Sequence, residues 1–110
     1  GYDWSTIPKL GQRIVLAEKA ILSAGCDITD CTSEIHPETR EMLLQVAKGI
    51  DGQVVGIDYI TPDLKTSYKD QTTAILELNS RPYLDMHQYP SEGEAQPIAK
   101  TAWDIVLAKL

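Results

Sequence analysis

Two short apolar runs joined by a polar segment constrain the fold of this 110-residue chain more than any other feature. The runs cover residues 54–60 and 74–78, and we expect the polar residues 62–71 between them to form an exposed connection. Parallel strands need a crossover of a dozen or more residues, usually a helix, whereas antiparallel strands can be joined by a short loop. The sequence therefore predicts an antiparallel pair of strands, over residues 53–61 and 72–79.

Helical patterns lie on both sides of this pair. Pro37 suits the first position of a helix, and Gly52 is predicted to cap the same helix at its end. The apolar stripe of this first helix is Leu43, Val46, Ala47 and Ile50. A second helix is predicted over 97–108, with an apolar face formed by Ile98, Ala102, Trp103, Ile105 and Val106. A further strand is predicted over 13–20. These elements predict one α+β domain over residues 1–110, with two helices packed on a small antiparallel sheet.

The charge of the chain argues against one class of function. Sixteen acidic residues against ten basic ones give a formal net charge of −6, whereas proteins that bind the nucleic-acid backbone carry a basic patch. We therefore predict no nucleic-acid partner. No apolar run approaches the roughly 20 residues of a membrane span, so no membrane partner is predicted. Two cysteines, Cys26 and Cys31, are too few for a disulfide framework, which favours free thiols and a cytoplasmic location.

Three oxygen-bearing side chains on the two predicted strands form a candidate metal site. Glu77 and Asn79 are two residues apart, so they share one face of their strand. An antiparallel register can place Asp58 of the other strand beside Glu77 or Asn79. Two adjacent carboxylates repel each other unless a proton or a cation lies between them. Because carboxylate and amide oxygens are the ligands that Mg²⁺ prefers, the sequence predicts a magnesium site here.

The same pattern has a second interpretation that stays open at this point. Alternation of apolar and polar residues is also typical of an antiparallel strand with one face in water. Three features favour the metal site: Asp and Asn are depleted in strands, Asp58 lies among Val, Ile and Tyr residues, and Gly56 occupies a strand interior. A glycine there often marks the close approach of a ligand.

Two charged or titratable residues follow the second strand. Arg81 can hold an anion through two parallel hydrogen bonds, or it can be a surface residue. His87 can hydrogen-bond a substrate carboxylate or act as a base, although a lone histidine in a loop is more often structural. His36, directly before Pro37, is predicted to initiate the first helix instead of serving a site.

These motifs together resemble one enzyme family. The segments VVGIDYI around Asp58, ILELNSRP and MHQYPSEG are similar to the C-terminal part of the ATP-grasp carboxylate–amine ligases. Upstream, PKLGQRIVL and DITDCTSEIHPETREMLLQVAKGI resemble the stretch that precedes the metal-binding strand in that family. The likeness covers nearly the whole chain and is greatest to cyanophycin synthetase and the ATP-grasp half of bifunctional glutathione synthetase.

The resemblance implies a fold, a reaction and a role for each candidate residue. The fold would be the C-terminal subdomain of the ATP-grasp fold. Asp58, Glu77 and Asn79 would bind two Mg²⁺ or Mn²⁺ ions that bridge the phosphates of ATP, and Leu76 would pack on the adenine. Arg81 and His87 would hold the amino-acid or peptide substrate during catalysis. The reaction would be ATP-dependent peptide-bond formation through an acyl phosphate.

The chain also departs from the family pattern. Tyr83 stands where the family has glycine, and the loop at residues 21–25 is shortened and lacks its asparagine. The second ATP-grasp lobe, which completes the nucleotide site, is missing. We therefore expect a fragment of a larger enzyme that is inactive alone and whose uncovered surface could drive homo-oligomerisation. The alternatives are a non-catalytic binding or regulatory module with the same fold, and an interaction domain whose strand carboxylates are only solvated.

Overall fold

The computed structural model describes residues 3, 5–15 and 25–109 and shows an α+β architecture, as predicted. Its elements in chain order are α1 Pro37–Gly49, β1 Gly56–Ile60, β2 Ala74–Asn79, α2 Asp85–Gln88 and α3 Ile98–Leu107. Short 3₁₀ turns occur at Thr32–Glu34 and Tyr68–Asp70. In the predicted strand over 13–20, residues 13–15 have no regular structure and the remaining five lie outside the described residues.

The two strands pair antiparallel, as predicted, and form the sheet of the described residues. Both strands are shorter than the sequence predicted: residues 53–55 and 61 lie outside β1, and residues 72–73 lie outside β2. The register pairs Asp58 with Glu77 and Tyr59 with Ile75, so that Leu76 is an extra residue in β2. This is a β-bulge, which bends the strand and increases its local twist.

The start of α1 follows the prediction closely. Pro37 occupies the first helical position, and the Nδ1 atom of His36 accepts a hydrogen bond of 3.3 Å from the backbone N–H of Glu38. This bond satisfies one of the N–H groups that a helix leaves without an internal partner. His36 therefore caps the helix, which confirms its predicted structural role.

The end of α1 differs from the prediction in one residue. Asp51, and not Gly52, adopts the left-handed conformation, with φ of 52°. Its N–H donates to the carbonyl of Lys48, and the N–H of Gly52 donates to the carbonyl of Ala47. Together these bonds form a Schellman motif. Gly52 is needed for a different reason, since a Cβ atom at this position would overlap the side chain of Val55.

Part of the connection between the strands packs on α1: five of the ten residues 62–71 are exposed as predicted, whereas Ser67 is buried. Ser67 is 3% exposed and Thr39 of α1 is 2% exposed, the two most buried of the described residues. Thr39 accepts a hydrogen bond of 3.1 Å from the N–H of Tyr68, and the Ser67 hydroxyl donates to the Glu38 carboxylate. Polar residues are buried here because each finds a partner on the facing segment.

The same contact should make the stability of the chain depend on pH. The Lys69 ammonium group, 2.7 Å from Glu38, and then the Ser67 hydroxyl hold the pKa of the Glu38 carboxyl below its ordinary value. A carboxyl whose pKa is lowered by folding stabilises the fold above its unfolded pKa and loses this effect as pH falls through the folded one. The loss should therefore occur below about pH 4.3, the ordinary value for glutamate.

A double-mutant cycle of Glu38→Gln and Lys69→Met, followed by thermal unfolding at pH 7 and at pH 2.5, measures this contribution. We expect a coupling between the two side chains at pH 7 and its disappearance at pH 2.5. An equal coupling at both pH values would contradict the assignment.

The apolar side chains of the described residues are at most partly buried. On α3, Ile98, Ala102 and Ile105 are half-buried, and this helix contacts α2. Trp103 and Val106 remain 66% and 49% exposed, so the apolar face predicted for α3 is only partly covered. No helix within the described ranges is long and apolar enough to cross a membrane.

Candidate metal and nucleotide site

The register of the sheet brings the three predicted ligands to one face. Asp58 of β1 lies directly opposite Glu77 of β2, and Asn79 lies opposite Gly56. Directly opposite residues project to the same side of a sheet, as do residues two apart on one strand. The Cβ atoms of such a cross-strand pair are about 5 Å apart. Both carboxylates and the amide therefore share one small area at the end of the sheet.

The two carboxylates carry unbalanced charge. Asp58 and Glu77 are exposed, and neither forms an ion pair with any residue in the described part of the chain. Like charges directly opposite each other destabilise an antiparallel pair. A divalent cation between them would remove this repulsion, and oxygen ligands of this kind suit Mg²⁺. Among the described residues no group of three His, Cys, Asp or Glu side chains is placed to hold a metal ion. Asn79 is the nearest candidate for a third protein oxygen ligand, and waters or phosphates can complete the coordination of Mg²⁺.

The amide of Asn79 is oriented by the turn that follows it. Its Oδ1 atom accepts a hydrogen bond of 2.8 Å from the backbone N–H of Arg81. This bond fixes the side chain at the strand end and leaves one of the two lone pairs of the oxygen for another partner. Arg81 thus supports Asn79 through its backbone, while its guanidinium group is on an exposed residue.

The residue for which the resemblance implies adenine contact is exposed and lies at the bulge. Leu76 is 68% exposed although it is a large apolar side chain in a strand. It is the extra residue between the Asp58–Glu77 and Tyr59–Ile75 pairs and the sequence neighbour of the predicted ligand Glu77. Bulges are common next to active sites, where they redirect a side chain.

Gly56 packs closely against the turn that follows β2 and also lines the cavity beside α3, so the close approach of a ligand suggested by the sequence stays a prediction. A Cβ atom built on Gly56 would lie 2.9 Å from the Cβ atom of Pro82 and 3.6 Å from that of Asn79. The turn after β2 therefore folds back over the start of β1. The absence of a side chain at Gly56 allows Pro82 to hold this turn against the sheet.

Replacing Gly56 with alanine should destabilise the chain by about 1–3 kcal/mol, the cost of forcing an extra methyl group into a packed position. Gly49→Ala is the matched control, because nothing lies within 4 Å of a Cβ atom there. Alanine is the better helix former, so Gly49→Ala should be neutral or stabilising. Urea denaturation measures both changes, and equal stability of the two variants would contradict the close contact with Pro82.

His87 lies apart from the three oxygen ligands. It is part of α2 and lines a cavity of about 320 Å³ that is closed mainly by residues 53–56 and the Ile98, Ala102 and Ile105 side chains of α3. Pro82 also lines this cavity, whereas Asp58, Glu77 and Asn79 do not. The structure therefore brings Asp58, Glu77 and Asn79 to one face of the sheet, whereas His87 lines a separate cavity beyond Pro82.

A long-range contact between residues 28–30 and 91–93 was not indicated by the sequence. Ile28 accepts backbone hydrogen bonds of 2.8 Å and 3.1 Å from Ser91 and Glu92, and Asp30 donates one of 2.9 Å to Glu92. Gly93 lies against the backbone of Asp30 with φ of 91°. The only sequence signal for this contact is the glycine itself.

Known proteins resemble the chain over nearly its whole length. It is 36% identical over 106 residues to cyanophycin synthetase of Crocosphaera subtropica, with 96% of this chain and 12% of that protein covered. It is 31% identical over 106 residues to the glutathione biosynthesis bifunctional protein of Clostridium perfringens, with 96% and 14% covered. The corresponding protein of Listeria welshimeri is 33% identical over 104 residues, with 94% and 13% covered. No family model matches the chain.

These relatives confirm the resemblance that the motifs predicted. The chain is related to proteins named for cyanophycin and glutathione synthesis. It spans 12% to 14% of the length of the three relatives, so the alignment covers one segment of each.

Proposed function

We propose that this chain, a relative of cyanophycin synthetase and the bifunctional glutathione biosynthesis protein, supplies the Mg–ATP half-site of an ATP-dependent carboxylate–amine ligase. The observation that supports this most is the direct pairing of Asp58 with Glu77 on an exposed sheet face, beside Asn79. Without a ligand this arrangement is unfavourable, because two like charges face each other across the sheet, and a bound cation would offset their repulsion. The domain is proposed to be one lobe of a longer enzyme.

The donor set fits Mg²⁺ that is shared with a nucleotide. Mg²⁺ in proteins is usually held by one or two carboxylates together with waters and substrate phosphates. Asp58, Glu77 and the free lone pair of Asn79 would hold two such ions on the sheet face. When bound, Mg²⁺ would offset the charge of the ATP phosphates and the charge that develops during phosphoryl transfer. Leu76, which is exposed at the bulge, would pack against the adenine.

The proposed reaction has two steps. An oxygen of the substrate carboxylate attacks the γ-phosphorus of ATP, which forms an acyl phosphate and releases ADP. The amine of the second substrate then attacks the acyl carbon, forms the amide bond and expels phosphate. The Arg81 guanidinium group would orient an anionic group of a substrate. His87, on the other side of the turn at Pro82, would hydrogen-bond a substrate carboxylate or act as a base. Amino acids or peptides are the substrates that the relatives' names suggest.

A Mn²⁺ titration of the ¹⁵N-labelled chain, with and without ATP, tests this proposal. Paramagnetic broadening should affect the amides of Asp58, Glu77 and Asn79 first, and excess Mg²⁺ should reverse it. The chain alone should show no ligase activity, because the opposite side of the nucleotide would be uncovered. Broadening spread over surface acids such as Asp63, Asp70 and Glu92, with the three proposed ligands unaffected, would refute the metal site.

A non-catalytic module is the second candidate, and one residue favours it. Tyr83 is 71% exposed at the position where the resemblance implies glycine. A large ring there changes the surface that a substrate would approach. If Mn²⁺ broadened the three ligand amides but ATP did not strengthen its binding, a metal-binding module would be favoured over the ligase half-site.

A further inference from the structure

We propose that the cleft between Tyr83 and Tyr89 binds a small organic cation with a quaternary ammonium, ammonium or guanidinium head. Among the described residues its lining consists of Ile28, Tyr83, Asp85, Met86 and Tyr89, and its volume is about 220 Å³. This inference uses none of the proposed metal ligands and does not depend on the ligase function.

The chemistry of the lining is that of a cation site. Two tyrosines line the cleft, and the electron-rich face of a tyrosine ring attracts a cation placed over it. Met86 adds a polarisable thioether. Asp85 supplies one negative charge, and no Lys or Arg is among the described lining residues. A small anion would be repelled by Asp85, and a neutral apolar ligand would leave its carboxylate without a partner.

Both tyrosine side chains are exposed to solvent and are not buried in the protein. Tyr83 is 71% exposed and Tyr89 is 73% exposed, although large aromatic side chains gain most from burial. They flank the short helix α2, and Asp85 begins that helix. One oxygen of the Asp85 carboxylate accepts a hydrogen bond of 3.1 Å from the N–H of Met86. Asp85 forms no ion pair within the described part of the chain, so its charge is available to a ligand.

Hydrogen bonds hold two of the lining residues, Ile28 and Tyr89, in place. The N–H of Ile28 donates a bond of 3.1 Å to the hydroxyl of Ser91, and its carbonyl accepts the N–H groups of Ser91 and Glu92. On the other side, the N–H of Tyr89 donates a bond of 2.7 Å to the carbonyl of Asp85, and the Tyr89 hydroxyl accepts a bond of 2.9 Å from Gln88. The first set of bonds joins segments far apart in sequence, and the second set is local to α2 and Tyr89.

Tetramethylammonium, methylguanidinium and the neutral tert-butanol are the probes, and amide shifts of the ¹⁵N-labelled chain are the readout. Both cations should shift the amides of Tyr83, Asp85, Tyr89 and Ile28 and should bind at least about fivefold more tightly than tert-butanol. Equal binding of tert-butanol would show an apolar cleft only and would overturn the proposal. Equal shifts from sodium at the same ionic strength would do the same, because they would show a salt effect.

Matched variants separate the ring and charge contributions. Tyr89→Leu should weaken tetramethylammonium binding about two- to fivefold, whereas Tyr89→Phe, which keeps the ring face, should bind nearly as the parent chain does. Asp85→Asn should weaken binding, and Asp70→Asn, with the same change in net charge outside the cleft, should not. Similar effects of Asp85→Asn and Asp70→Asn would show general attraction by an acidic protein and would refute the site. Unchanged Mn²⁺ broadening in the cleft variants would keep this result separate from the ligase proposal.

Discussion

Replacing Asp58 with asparagine should weaken Mn²⁺ binding by the chain at least about tenfold and should raise its melting temperature in metal-free buffer. Even residues that only orient a metal ligand change affinity by roughly 10–100-fold, and Asp58 is proposed as a ligand itself. The melting temperature rises because the substitution removes one of two negative charges that face each other across the sheet. Opposite effects on binding and stability are typical of a site that is built for a ligand.

The matched control for this prediction is Asp70→Asn. Asp70 is an exposed acid in the connection between the strands, so the change in net charge is the same. Isothermal titration with Mn²⁺ and thermal unfolding with a chelator measure the two effects. Glu77→Gln should behave like Asp58→Asn, since the two carboxylates form one pair. If both strand variants and the control bound Mn²⁺ equally, the carboxylates would be solvated surface residues and the interaction-domain interpretation would be favoured.

The faces of the strands could be predicted because strand geometry leaves little choice. Side chains alternate across a sheet, so Glu77 and Asn79 had to share a face once the strand was assigned. The short connection required antiparallel pairing, and the observed register then placed Asp58 opposite Glu77. The bulge at Leu76 could not be predicted, because it depends on how the two strands twist together and not on a local pattern.

Helix ends show where local rules succeed and fail. Pro37 and His36 determined the start of α1 because both act through the geometry of the first turn. At the other end, the preference for glycine in the left-handed conformation pointed to Gly52, but Asp51 takes that conformation. Aspartate tolerates it better than most residues, and Gly52 was required by the side chain of Val55.

Burial of polar residues was the hardest feature to predict. Ser67 belongs to a polar segment that by composition should be exposed, yet it is 3% exposed. Its burial depends on Glu38 and Thr39, which lie almost thirty residues earlier in the chain. The contact of Ile28 with Ser91 joins residues even farther apart. Hydrophobic periodicity describes one element at a time, so it cannot predict hydrogen bonds between segments that are distant in sequence.

Replacing Gly93 with alanine should destabilise the chain by about 3 kcal/mol or more, because a conformational cost and a steric cost act together. The residue has φ of 91°, a conformation that costs a side chain of order 1–3 kcal/mol. A Cβ atom there would also lie 2.7 Å from the carbonyl oxygen of Asp30 and 3.1 Å from its nitrogen. Backbone atoms in this position cannot swing away as a flexible side chain could, so the docked segment itself must move.

Gly25→Ala separates the two causes. Gly25 has a similar φ of 84°, but no described residue has an atom within 4 Å of a Cβ atom built there. The conformational cost should appear in both variants and the steric cost only in Gly93→Ala. Hydrogen exchange provides the local readout, because the Asp30 amide donates to Glu92 across this contact. Its protection should fall sharply in Gly93→Ala and remain in Gly25→Ala, since only the first substitution forces the two segments apart. Equal losses of stability and protection in both variants would show that Gly93 is required only for its backbone conformation.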